Sequence, residues 1–286
     1  MTSLKQLKPL FIGTGQIMLQ ENAVTGLFFL AGIFCGSVVM GLAALLAALI
    51  GTYTAKLFKY DKEEINSGLY GFSAVLVGVA LTCMFQPGIT VWLGILAGSF
   101  LAAVIQHFFI VKKIPAFTFP FIVVTWVLLF IFSSFPSLGV QPVEDGGLTN
   151  ANGFTAVFLG YGQVIFQSTV WAGVLFFIGV LIYSPLAAIY GLTGAAFSAL
   201  LAYGMHEPVG DIYLGLLGYN AVLCAITFAG REFQDVLLAF LSVILSVMIV
   251  VLMRRLNLPG LTFPFVLATW ITLLLKKVIY GNGANQ

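Results

Sequence analysis

Long apolar runs that carry no Asp, Glu, Lys or Arg alternate with short charged segments along this chain. The uncharged runs cover residues 22–55, 65–111, 114–143, 146–206, 212–230, 236–253 and 256–275. A membrane span needs about 20 predominantly apolar residues, so several runs are long enough for two or more spans. The pattern predicts ten transmembrane helices, at about 23–36, 38–58, 66–85, 90–111, 117–135, 169–183, 185–203, 212–229, 236–253 and 260–275.

Composition supports an all-α integral membrane protein. Of the 286 residues, 60% are hydrophobic and 8% are charged, whereas soluble domains carry about 25% charged residues. The net charge of +2 comes without a basic patch or arm, so no nucleic-acid partner is expected. The three cysteines lie far apart in apolar runs and show no metal-ligand spacing. We therefore expect a multi-pass protein of the cell membrane, with the lipid bilayer as a partner and with neither a metal nor a cofactor.

Three motifs occur twice, in the same order. The Gly-x-Gly-Gln segment at 13–16 returns at 160–163, and the Gly-Leu-x-Gly-aromatic segment at 68–72 returns at 215–219. The pattern Pro-x-x-Thr-x-Pro-Phe ends at Phe121 and again at Phe265. The repetition predicts a first repeat over 1–140, a linker over 141–152 and a second repeat over 153–286.

Charge placement predicts opposite orientations for the two repeats. The segment 136–152 contains Glu144 and Asp145 but no Lys or Arg, so it is assigned to the outer side of the membrane. Both termini and the basic loops at 56–62 and 112–113 then lie in the cytoplasm. Five crossings per repeat is an odd number, which inverts the second repeat relative to the first. Arg254 and Arg255 fall on the outer side in this scheme, where long side chains at a span end can reach the interface.

Each repeat is also expected to contain one short re-entrant helix. The apolar stretches 11–20 and 158–166 are long enough for only half a bilayer, and the glycine-rich segments at Gly68 and Gly215 are the other candidates. The choice between them stays open at this stage.

The distribution of charge favours a passive conduit over a pump or an enzyme. The acidic residues fall in loops and in the linker, with only Glu21 close to an apolar segment. Ion-coupled transporters and proton relays place ionisable groups inside the membrane. A membrane enzyme would need a nucleophile with a base, metal ligands or buried carboxylates. None of these constellations occurs, so no catalytic residue is assigned.

Neutral polar and aromatic residues at matched positions are the candidate path. An amide offers donors and an acceptor, and a hydroxyl can serve as either, which suits a small, neutral, planar solute. The alternatives are that glutamines join helices, that threonines bond to their own backbone and that aromatic rings only pack. Trp126 and Trp270 are interpreted as structural, and His107 and His206 occupy non-equivalent positions that predict no shared site. The candidate pairs are Gln16 with Gln163, Thr118 with Thr262, and Phe72 with Tyr219.

The doubled motifs resemble those of the urea transporter family over essentially the whole chain, and the length resembles a bacterial member. The resemblance implies a homotrimer in which each protomer has its own pore for passive, uncoupled flux of urea. It places Gln16 and Gln163 at the outer and inner sites. Thr118 and Thr262 would flank the central constriction, and the remaining slot residues would be Leu76, Leu223, Phe72, Tyr219, Leu19 and Phe166.

The chain departs from the family's pattern in a few places. The Asn-Pro pair that often follows the glutamine motif is absent after Gln20 and after Gln167, and Ser73 replaces an asparagine that Asn220 keeps. The alternative function is a passive conduit for another small neutral solute, such as a short amide, ammonia or water.

Overall fold

The computed structural model describes residues 2–135, 138–141 and 152–280. Glu144 and Asp145, which carried the outer assignment of the linker, lie outside these residues. The described chain is helical and contains no β-strand, apart from an isolated bridge between Phe85 and Val140. The all-α prediction is therefore confirmed for the described residues.

Fourteen α-helices form the described part of the chain. In the first repeat they are α1 (Thr2–Gly15), α2 (Ala23–Gly36), α3 (Val38–Leu57), α4 (Lys62–Asn66), α5 (Phe72–Met84), α6 (Ile89–Val111) and α7 (Phe119–Ser133). In the second they are α8 (Gly153–Gln163), α9 (Val170–Tyr183), α10 (Pro185–Gly204), α11 (Val209–Tyr213), α12 (Tyr219–Thr227), α13 (Phe233–Arg255) and α14 (Phe263–Tyr280).

Every predicted crossing contains a helix, but the helices differ in length from the prediction. Four of them, α3, α6, α10 and α13, are long and apolar enough to span a bilayer alone. The crossing predicted at 66–85 is divided by a turn between α4 and α5, and the one at 212–229 is divided between α11 and α12. Gly68 and Gly215 allow these turns, because their φ angles of 73° and 74° are strained for any residue with a Cβ. The number of crossings stays a prediction.

Helix α1 does not continue into α2. The two helices meet at 76° after a short break that includes the 3-10 turn Gln16–Met18. Asn22 then starts α2, because its side chain accepts hydrogen bonds from the amides of Val24 and Thr25. The bent pair is either a broken span or a re-entrant element.

Small residues let the helices pack closely. A Cβ on Gly26 of α2 would lie 1.7 Å from the carbonyl oxygen of Phe11, and a Cβ on Gly173 of α9 would lie 1.9 Å from that of Phe158. Helices α2 and α9 pack against each other across the two repeats, with the rings of Phe29 and Phe176 5.3 Å apart. Close backbone approach at glycine is typical of helix packing in membranes.

Candidate permeation site

Two breaks in the helical backbone form the centre of the candidate site. The first lies between α6 and α7 and the second between α13 and α14. Phe117 and Leu261, the residues before the two threonines, have φ angles of 47° and 45°. Positive φ costs free energy for a residue with a side chain, so neighbouring contacts must hold both breaks in place.

The two breaks bring Thr118 and Thr262 together. Their Oγ1 atoms lie 2.7 Å apart, and either hydroxyl can donate to the other. The side chains are almost fully buried, with 3% and 1% of their surface exposed. Among the described residues, no Asp, Glu, Lys, Arg or His side chain is buried, so no buried charge accompanies this pair.

Two tryptophans hold the breaks, each from the opposite repeat. The indole Nε1 of Trp126 donates to the carbonyl oxygen of Pro259 at 2.8 Å, and that of Trp270 donates to the carbonyl oxygen of Pro115 at 2.8 Å. The bonds agree with the structural role predicted for both tryptophans. The repeated Thr-Trp pairs mark the two positions as candidates, but no local pattern indicates that each indole reaches the opposite repeat.

Gln16 and Gln163 each bond to the residue that precedes one of the two glycine turns. The Nε2 of Gln16 donates to the carbonyl oxygen of Ser67 at 2.9 Å, and the Nε2 of Gln163 donates to that of Leu214 at 3.2 Å. Both glutamines are half-buried. Each side-chain amide donates one N–H to a backbone carbonyl, so its second N–H and its oxygen can bond to other partners.

Gln20 and Gln167, four residues after these glutamines, each bond back to the turn that precedes them. Gln20 donates to the carbonyl oxygen of Met18 at 2.6 Å, and Gln167 donates to that of Ile165 at 3.0 Å. Leu19 and Phe166, between the paired glutamines, have φ angles of 62° and 57° and are half-buried. The sequence interpretation had assigned no role to Gln20 or Gln167.

The apolar and aromatic residues predicted to line the slot lie on the helices next to the breaks. Leu76 on α5 and Leu223 on α12 are fully buried. Phe72 begins α5 and is 7% exposed, whereas Tyr219 begins α12 and is half-buried. Helices α5 and α12 pack against α7 and α14 respectively, which brings these residues into the region of the threonine pair.

Comparison with known proteins decides the family. The family model described as "UT: Urea transporter" matches residues 7–277. The chain belongs to the urea transporter family. It is 27% identical, over 288 aligned residues, to "Urea transporter 1" from Rattus norvegicus, from Ovis aries and from Mus musculus. Each alignment covers 92% of this chain and 75% of the relative.

Membership of this family confirms two predictions made from the sequence. The resemblance of the doubled motifs is confirmed over nearly the full chain. The expectation that the protein is not an enzyme is confirmed as well, because this is a family of transporters. A membrane location follows from the family and from the apolar helices together.

The two repeats of this urea transporter family member differ around the break carbonyls. Tyr219 Oη donates to the carbonyl oxygen of Leu261 at 2.6 Å, and Asn220 Nδ2 lies 3.4 Å from the same oxygen. Asn220 Oδ1 also accepts from the amide of Phe265 at 3.0 Å. In the first repeat Phe72 has no hydroxyl, and the buried hydroxyl of Ser73 has no hydrogen-bond partner among the described residues.

A cavity of about 320 Å³ lies beside the second break. Arg254, which charge counting had left on the outer side, lines this cavity and forms an ion pair with Asp211. Asp211 lies in α11 and Arg254 in the last turn of α13, and the pairing offsets the charge of the arginine. The cavity is lined by Leu216, Tyr219, Val250, Met253, Arg254, Leu258 and Gly260.

His107 belongs to a separate cluster near the first glycine turn. Its ring stacks on Tyr60 with the centroids 3.5 Å apart, and its Nδ1 lies 2.9 Å from Tyr70 Oη. Tyr70 in turn donates to Glu64. The structure does not bring His107 together with His206. Within the described ranges, no group of three or more His, Cys, Asp or Glu side chains could hold a metal ion.

Proposed function

We propose that this protein is a channel-type urea transporter that gives passive, uncoupled flux of urea through a narrow neutral slot in each protomer. The single observation that carries the proposal is the contact of Thr118 with Thr262 where two helix breaks meet without buried charge. The hydroxyls bond to each other when no solute is present, and each can turn to a solute that replaces its partner. The solute is inferred from the similar proteins, which are urea transporters by name.

The neutral interior supports passive flux. Coupling to an ion needs a site for that ion, and such sites inside membranes are built from ionisable side chains. The buried polar groups of the described chain are instead hydroxyls and amides. These groups can exchange hydrogen bonds with the N–H and C=O groups of urea, whereas they cannot replace the hydration of an ion at low cost.

We further propose that the chain forms two inverted repeats, each with five crossings and one re-entrant helix. The matched breaks support this arrangement, since discontinuous helices at corresponding places in two halves point to a binding site at their interface. Helix α1, which meets α2 at 76°, is our re-entrant element of the first repeat, and α8 is its counterpart in the second. The repeats are 1–140 and 153–286, the linker 141–152 is outside, and both termini are in the cytoplasm.

The order of the glutamine sites follows from this orientation. Gln16 bonds to Ser67, which follows the basic loop that charge assigns to the cytoplasm. Gln163 bonds to Leu214, beyond the loop of Glu207 that the same scheme places outside. We therefore assign Gln16 to the inner site and Gln163 to the outer site, the reverse of the order expected from the resemblance. Leu76, Leu223, Phe72, Tyr219, Leu19 and Phe166 are the proposed slot residues, and a homotrimer in the lipid bilayer of the cell membrane is the proposed assembly.

The first experiment measures urea flux through the purified protein in liposomes by stopped-flow light scattering. We expect flux far above that of empty liposomes, with no dependence on an ion gradient. Flux equal to that of empty liposomes, with the protein folded, overturns the proposal. If formamide, acetamide, ammonia or water passes and urea does not, the alternative conduit is correct.

The second arm replaces both threonines, as Thr118→Val with Thr262→Val. Valine keeps the volume and removes the hydroxyl, so we expect urea flux to fall roughly tenfold, which is the effect of losing about 1.4 kcal/mol of hydrogen bonding at the barrier. Thr272→Val is the matched control, because that buried hydroxyl bonds to the carbonyl oxygen of Ala268 on its own helix at 2.8 Å. Unchanged flux in the double variant contradicts the role of the hydroxyls.

A further inference from the structure

The two repeats place different side chains at equivalent points beside the break carbonyls. Phe72 and Ser73 in the first repeat correspond to Tyr219 and Asn220 in the second. The carbonyl oxygen of Leu261 therefore has a phenol at 2.6 Å and a side-chain amide at 3.4 Å. The equivalent phenylalanine and serine contribute no such phenol and no such amide.

The hydrogen of the Tyr219 hydroxyl is already in use. A phenol has one hydrogen to donate and lone pairs that accept. A distance of 2.6 Å to the carbonyl oxygen of Leu261 is that of a well-formed bond between two oxygens, so the hydrogen lies between them. The phenol oxygen then offers only acceptor sites to any other molecule that reaches it.

Tyr219 also lines the cavity that lies beside the second break. Its side chain is half-buried and lines the cavity of about 320 Å³ together with Leu258 and Gly260 of the break. A solute that enters this cavity meets the side chain of Tyr219, whose phenol oxygen can accept a hydrogen bond but has no hydrogen left to donate. The remaining lining is mostly apolar, apart from Arg254, which is engaged with Asp211.

We propose that Tyr219 is a specificity-determining residue, whose hydroxyl oxygen accepts an N–H of the passing amide and selects solutes with unsubstituted NH2 groups. The proposal rests on the proposed urea conduction. A urea methylated on both nitrogens, 1,3-dimethylurea, has no NH2 group and brings two N–H donors where urea brings four. When it turns a methyl group to Tyr219 it leaves the phenol oxygen without a donor in a partly buried site, which raises its barrier relative to that of urea.

If the role of Tyr219 were purely structural, its hydrogen bond would stabilise the strained backbone conformation of Leu261. The structure supplies that support independently, because Asn220 bonds to the amide of Phe265 at 3.0 Å and approaches the carbonyl of Leu261. Trp126 holds the carbonyl of Pro259, at the start of the same break. The break therefore keeps its supports when the hydroxyl is removed.

The test compares urea and 1,3-dimethylurea flux through the full chain in liposomes, for the wild type and for Tyr219→Phe. We expect the ratio of urea to 1,3-dimethylurea permeability to fall about threefold or more, the discrimination that one hydrogen bond provides. Tyr190→Phe is the matched control, because Tyr190 Oη also donates to a backbone carbonyl, that of Gly230, at 2.7 Å and lies away from the break. The control variant should keep the wild-type ratio.

Three results decide the matter. If the wild type conducts urea and Tyr219→Phe keeps the wild-type ratio, this inference is overturned and the proposed function stands. If both permeabilities fall by the same factor, the hydroxyl acts on the structure alone and the inference is again overturned. A wild type that conducts no urea overturns the proposed function itself, and with it the inference.

Discussion

The first and second breaks share their backbone geometry and differ in the side chains that surround it. Phe117 and Leu261 adopt φ angles within 2° of each other, at 47° and 45°, and the glycine turns at Gly68 and Gly215 match as closely. Proline and glycine restrict the backbone wherever they occur, so repeating them reproduces the geometry. Side-chain donors are under no such restriction. The second repeat has Tyr219 and Asn220 beside its break, where the first repeat has Phe72 and Ser73.

This comparison separates two kinds of requirement. The shared backbone is needed to place the two threonines in contact, which both repeats must do equally. The donors around Leu261 act on one side of that contact, where Tyr219 and Asn220 have no equivalent pair in the first repeat. We expect matched substitutions to have equal effects where they touch the backbone and unequal effects where they touch these donors.

The largest expected effect is an equal one, at the closest backbone contacts. Gly26→Ala and Gly173→Ala would each place a Cβ within 1.9 Å of a carbonyl oxygen of the preceding helix. We expect both to lower the free energy of unfolding by about 3 kcal/mol or more, because neither helix can move away without opening the core. Thermal unfolding of the purified protein measures this.

Gly204→Ala is the control for both glycines, since a Cβ there meets nothing within 4 Å. If one glycine tolerates alanine while the other does not, the two repeats are not equivalent even at the level of the backbone, and the comparison breaks down.

The next effect is unequal between the repeats. Asn220→Ala removes the acceptor of the Phe265 amide and leaves that buried N–H without a partner, so we expect a loss of about 2 kcal/mol in unfolding free energy. Ser73→Ala removes a buried hydroxyl that has no hydrogen-bond partner among the described residues, so it should leave stability unchanged within about 0.5 kcal/mol or raise it. Chemical or thermal unfolding of the two variants side by side gives the difference, and equal losses would remove the asymmetry that we infer.

The smallest effect is expected at Asp211 in α11 and at Glu64 in α4, which occupy equivalent positions in the two repeats. Asp211→Asn removes the ion pair with Arg254, whose side chains are 28% and 37% exposed respectively. Exposed pairs contribute about 0.2–1 kcal/mol and are screened by salt. The loss should therefore disappear when unfolding is measured at high ionic strength.

At the equivalent position of the first repeat, Glu64→Gln keeps an acceptor for the Tyr70 hydroxyl. The change that this substitution causes in unfolding free energy should therefore not depend on salt.

Much of this site was predictable because proline and glycine act locally. The repeated Pro-x-x-Thr-x-Pro-Phe motif located both breaks and selected Thr118 and Thr262, which the structure then places 2.7 Å apart. Apolar length located a helix in each predicted crossing. It could not show that α5 has only 13 residues, because the preceding segment carries no charge and the turn at Gly68 depends on contacts with α1.

The remaining features depend on tertiary contacts that no local pattern encodes. Nothing near Trp270 in the sequence indicates that its indole reaches Pro115 in the other repeat. The direction of the Tyr219 hydroxyl was equally hidden, since a tyrosine at a helix start can point to solvent or to a backbone carbonyl. The two repeats differ at such positions in sequence, but the fold determines which backbone groups the side chains reach.

The exchanged tryptophan bonds have a consequence for the order in which the chain is made. The carbonyl of Pro115 is synthesised 155 residues before its donor, Trp270. Helices of the first repeat can enter the bilayer and pack well before that moment. Their break acquires its partner only when α14 arrives, so the contact between the two breaks is completed only after α14 has been translated.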